Sequence, residues 1–92
     1  MITKCVYWIK KSRAKADEYY RAMTTWVTSR RTKGSVKALI TLASAYRTAL
    51  DKVLVCLRKL RPSAKVESEI ENTQHYKSLI VSDIQMLSDL KK

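Results

Sequence analysis

Apolar side chains recur between Ser35 and Arg61 at helical spacing. Val36, Leu39, Ala43, Tyr46, Leu50, Val53, Leu57 and Leu60 follow one another in alternating steps of three and four. A second stripe, Ala38, Leu42, Ala45, Ala49 and Cys56, runs along an adjoining arc. Together they leave only a narrow polar strip. The pattern predicts a helix over about 35–61 that is buried from more than one side. Such a helix needs two packing partners, from this chain or from a second copy.

The same period continues on either side. A first helix is expected from about Thr3, as N-cap, to Arg31, with an apolar stripe of Ile2, Cys5, Val6, Ile9, Ala16, Tyr19, Tyr20, Met23, Trp26 and Val27. Ser12 and Arg13 interrupt that stripe, so packing there should be weaker or meet a polar partner. Gly34 is expected to end this helix and Ser35 to cap the next. A turn this short makes the two helices antiparallel neighbours. Pro62 ends the second helix, and a third is expected over about 63–90, with Val66, Ile70, Tyr76, Leu79, Ile80, Ile84, Leu87 and Leu90 apolar and Thr73 filling one step. Glu67, Glu69 and Glu71 lie near its start, where the helix dipole favours acids.

The fold class expected is therefore all-α: an antiparallel helical hairpin (about 3–31 and 35–61) plus a third helix (about 63–90), in one domain of 92 residues. A chain of this size buries only about 60–65% of its unfolded surface. Self-association into a homodimer would supplement so thin a core. One Gly and one Pro leave few places for turns, which agrees with few, long elements.

Charge changes the picture. The chain carries 19 basic and 8 acidic side chains, a formal net charge of +11. Residues 1–61 hold 15 of the basic and 3 of the acidic groups, and residues 62–92 hold 4 and 5. Polyanion attraction thus belongs to the hairpin, while the third helix is a packing or assembly element. The candidate nucleic-acid contacts are Lys11, Lys15, Arg30, Arg31, Lys33, Lys37, Lys52, Arg58 and Lys59. Arg30, Arg31 and Lys33 flank a helix N-terminus, where free backbone N–H groups favour a phosphate. Lys33 and Lys11 are about 33 Å apart along the helix axis at 1.5 Å per residue. That is close to the roughly 34 Å turn of a B-form duplex.

No catalytic constellation can be assembled, and a non-enzyme is expected without cofactor or metal. His75 is the only histidine, and two distant cysteines make a poor zinc site. Cys5 and Cys56 fall at neighbouring levels of the hairpin, but two cysteines do not make a disulfide scaffold, and they are read as small core thiols in a reducing compartment. No run fits a secretory signal or approaches a membrane span, so a cytoplasmic protein is expected (host cytoplasm if viral).

The expected function is sequence-independent binding of a nucleic-acid backbone, double-stranded RNA ahead of DNA, because RNA duplexes are recognised mostly by shape and phosphates. The alternative is a small interaction or inhibitor protein, such as a viral, phage or plasmid-borne accessory protein, whose basic face docks on an acidic host protein. Tyr7, Trp8 and Trp26 are its candidate anchors. An anionic membrane surface ranks below both. In plan, residues 3–61 are similar to the nodavirus silencing suppressors, small helical hairpins that dimerise and lie along double-stranded RNA. The similarity is one of plan, and no motif aligns residue by residue.

Overall fold

A computed structural model describes residues 2–28 and 33–91, with side chains described over residues 4–28 and 36–90. The chain is all-α. A single 3-10 turn (Ile2–Cys5) leads into α1 (Val6–Thr28), followed by α2 (Lys33–Arg58) and α3 (Ala64–Lys91), running up, down and up. No strand occurs among the described residues.

The ends of the elements have local causes. Thr3 lies inside the 3-10 turn and does not cap α1, which starts three residues later. The expected cap at Ser35 is corrected too, since α2 already begins at Lys33 and includes Gly34 and Ser35. Helix α2 stops at Arg58, short of Arg61. Pro62 has no N–H and disfavours helical geometry at the residue before it. The last turn accordingly tightens into i→i−3 bonds, with Lys59 N–H donating to Cys56 O at 3.2 Å and Leu60 N–H to Leu57 O at 3.1 Å. Ser63 then caps α3: its Oγ accepts from Val66 N–H at 3.2 Å and its carbonyl from Glu67 N–H at 2.9 Å.

Helix α2 is the shared wall of the bundle. It packs extensively against both α1 and α3, whereas α1 and α3 meet each other far less. Val36, Leu39, Ala43, Tyr46, Leu50, Val53 and Leu57 are all buried, as the principal stripe requires. Leu54, outside both expected stripes, is buried as well. Helices α1 and α3 together cover the principal stripe, whereas the second is covered only in part: Ala49 is buried, Leu42, Ala45 and Cys56 are half-buried and Ala38 is exposed.

Two clusters form the core. Tyr19, Trp26, Leu39, Leu50, Ile80 and Leu87 belong to the larger, and Cys5, Val53 and Leu57 to the smaller. Cys5 and Cys56 are bonded as a disulfide, with Cα atoms 5.7 Å apart. The expectation of two reduced thiols is therefore corrected. Residues 5 and 56 sit side by side because the hairpin is antiparallel and the 3-10 turn aims Cys5 at α2. Between α2 and α3, Lys77 occupies a core-stripe step and its ammonium pairs with Asp51 at 2.6 Å. Between α1 and α3, the Tyr19 hydroxyl donates to Asp83 Oδ2 at 2.9 Å. That bond ties together two helices that share little else.

Some stripe positions are corrected. Ser12 does not interrupt the core face of α1 but lies in it, buried, its hydroxyl donating to Ile9 O at 2.8 Å. Val6, Tyr20 and Val27 on α1, and Tyr76, Leu79 and Leu90 on α3, belong to the expected apolar stripes yet are exposed. The molecule is a rod of 47 × 20 × 16 Å with a radius of gyration of 14.7 Å. A compact chain of this length would have about 12 Å.

Two measurements check this core. The disulfide spans a sequence separation of 51, and a loop of that size corresponds to about 4 kcal/mol in the chain-entropy account. Replacing both cysteines by serine, or reducing the protein, should lower the urea midpoint accordingly; an unmoved midpoint would show that the bond contributes nothing. Tyr19→Phe should cost about 1–2 kcal/mol, because it leaves a half-buried carboxylate without its donor. Hydrogen exchange in α3 should rise more than in α2, and a uniform rise would count against the assigned role of the bond.

Candidate nucleic-acid interface

At 100° per residue, Lys11 and Lys15 fall on one edge of α1, the edge turned away from α3, and Lys4 precedes them in the 3-10 turn. On this edge α1 adjoins α2, and Trp8 is half-buried in the seam against the cluster of Cys5, Val53 and Leu57. Lys11 Nζ lies 5.4 Å from the Trp8 ring centroid, and Lys52 Nζ, from α2, lies 5.9 Å from it. Lys11 also stands 5.6 Å from the Tyr7 ring and 3.5 Å from its hydroxyl. Tyr7 and Trp8 meet edge to face at 5.0 Å.

Electron-rich aromatic faces hold these two ammonium groups, each contact contributing about 0.5–1 kcal/mol at an exposed site. Among the described residues, no ion pair neutralises Lys11 or Lys52. Lys15, one turn further along α1, pairs with Glu18 at 3.6 Å. The arrangement leaves two positive charges fixed near one another without a carboxylate between them. An outside anion is the complement such a pair lacks.

The remaining predicted contacts fall into three groups. Lys37 is exposed on α2, fifteen residues from Lys52, or about 22 Å along the axis. Arg58 and Lys59 are exposed at the C-terminal end of α2. Arg30 and Arg31 lie outside the described residues, as does the side chain of Lys33, whose backbone begins α2. Arg13, grouped in the sequence with Lys11 and Lys15, is on the opposite flank of α1, where it faces α3. Trp26 is a core residue, 7% exposed, and is not available as an anchor, whereas Tyr7 is 62% exposed.

On that opposite flank a cleft of about 340 Å³ opens between α1 and α3 over a floor of Tyr46 and Val53. Ser12 and Ala16 line one wall, and Asn72, Thr73 and Tyr76 the other. Sequence reasoning did not find this cleft. Its signal was present in Ser12 and Thr73, two small polar residues standing at core-stripe steps of helices that would face one another. Tyr20 and Tyr46 pack edge to face at 6.3 Å beside it. Burial, helped by the nearby Tyr20 and Tyr76, pushes the Tyr46 phenol up to about 12. Burial also raises Tyr19, assisted by its bond to Asp83, and Tyr20. Among the described residues no group of His, Cys, Asp and Glu could hold a metal ion, and no helix is long and apolar enough to cross a membrane.

Because burial holds the folded Tyr46 phenol protonated, the unfolded chain loses that proton first, near pH 10. The stability it contributes is complete below that pH and is lost as pH rises towards 12. Tyr46→Phe should therefore flatten the fall of the urea midpoint between these limits while changing it little at pH 7. An identical alkaline slope in both proteins would refute this.

No family model matches this chain, and no curated protein or solved structure matches it either.

Proposed function

We propose that this protein binds nucleic acid without reading sequence, laying its α1–α2 edge against the phosphate backbone, with double-stranded RNA preferred over DNA. The convergence of Lys11 and Lys52 on Trp8 carries the reading: two helices deliver two ammonium groups to one place with no carboxylate between them. Lys15 adds charge on the same edge of α1, Lys37 and Arg58 add it elsewhere on α2 and Lys59 just past its end, and Arg30, Arg31 and Lys33 add it in and beside the segment joining α1 to α2. A rod 47 Å long exceeds one duplex turn of roughly 34 Å. Trp8 has cations against its ring and acts as their support, not as a free stacking platform. The role is non-enzymatic, with no cofactor. The cytoplasmic expectation rested partly on two reduced thiols, and the disulfide removes that support, so no compartment is proposed.

Tyr7 favours a second reading, docking onto an acidic protein in the manner of a small viral or plasmid-borne inhibitor. It is the most exposed large apolar side chain described, and it stands beside Lys11. A partner captured equally well after nuclease treatment would support this reading over the first.

Titration with duplex RNA, duplex DNA and single strands across a salt series tests the proposal. Each phosphate neutralised contributes about 0.9 to the log–log slope on B-form DNA. The slope should be several units, and Lys11→Ala and Lys52→Ala should each lower it by about one on either duplex. Affinity that hardly changes with salt, or is unaffected by both variants, would overturn the reading.

A further inference from the structure

We infer that the groove between α1 and α3 seats a second copy of this chain, laid across it in an isologous pair. Helix α1 lines the groove with Ile9, Ala16 and Tyr20, and Val27 continues the same edge two turns on. Opposite, Tyr76, Leu79, Met86 and Leu90 follow one another along α3 at coiled-coil spacing, each of them 45–51% exposed. Asp83 stands in the middle of that run and is bonded to Tyr19, so the run borders the α1 side. Two apolar seams thus flank a groove that no described residue fills.

Surface area and charge identify the occupant. The chain exposes 6467 Å², about 1,000 Å² more than a compact monomer of its mass. A standard protein interface buries about 800 Å² per partner. A copy carrying +11 repels another unless they meet where charge is low. The groove is such a place, because Lys11, Lys15 and Lys52 lie along the other edge and Lys77 is neutralised by Asp51. Its walls carry both signs, Arg13 on α1 against Glu69 on α3. A two-fold axis along the bundle sets α1 of each copy on α3 of the other, the basic wall on the acidic one. A partner of one sign would find no such match.

This inference does not depend on nucleic-acid binding, and salt separates the two. Screening should strengthen an apolar pair of like-charged chains and weaken phosphate contacts. Light scattering on nuclease-treated protein, up to ~100 µM, should show a mass rising towards twice 10.6 kDa, with tighter association at higher salt. Leu79→Asp with Met86→Asp should weaken association at least about tenfold while circular dichroism stays helical. Val55→Asp, at an equally exposed valine on the far side of α2, should leave it unchanged. Should the double variant lose helix, Leu79→Ser alone gives the same comparison. A wild-type mass that stays monomeric throughout, or a dimer indifferent to the groove variants, would overturn the assignment, whether or not some other protein binds there.

Discussion

Helix α2 cannot be left bare on either side, and the architecture follows from that constraint. Leu39, Leu57 and Ala43 are almost wholly buried, and each such leucine contributes about 1.5–3 kcal/mol relative to its exposed state. Helices α1 and α3 supply the cover by folding back, one before α2 and one after it. Short connections force both to run antiparallel to α2, and therefore parallel to each other. The disulfide pins the open end of the first hairpin, and the Lys77–Asp51 pair and the Tyr19–Asp83 bond fix α3.

Helices α1 and α3 both pack on α2 and meet each other little, which leaves the groove open over Tyr46 and Val53. Ser12, Ala16 and Thr73 are too small to close it, and the tyrosines around it give it an apolar yet hydroxyl-edged lining. Here the polar groups turn back on their own helices: the Ser12 hydroxyl donates to Ile9 O and the Thr73 hydroxyl to Glu69 O. The gap therefore costs no unsatisfied hydrogen bond. The same arrangement sorts the surface. Lysines gather where α1 meets α2, Trp8 steadies two of them, and the α1–α3 side is left nearly neutral. Repulsion within a chain of net +11 is lessened by spreading its charge along a rod instead of around a sphere.

The sequence left open which side of each helix was which. Along α1, Tyr19 and Tyr20 looked equivalent, but one is fully buried and bonded to Asp83 while the other is 45% exposed. A rotation of 100° between consecutive residues decides between them, and only the position of α3 sets its origin. Arg13 illustrates the same limit. It is two residues from Lys11 and Lys15 in the chain, yet helical geometry places it on the opposite flank, facing the groove. The disulfide was visible as a matter of level but not of distance, because the 3-10 entry that brings Cys5 against Cys56 is a local departure from helical spacing.

From the sequence alone came three helices, their order, the double-sided burial of α2 and the concentration of basic charge in the first 61 residues. These follow from spacing and composition, which act along the chain and need no neighbour to be read. The tertiary structure alone decided the pairing of the cysteines, the gathering of Lys11 and Lys52 on Trp8, and the groove between α1 and α3. Each depends on the rotation of one helix about its axis relative to another, and side chains far apart in sequence set that rotation by packing together.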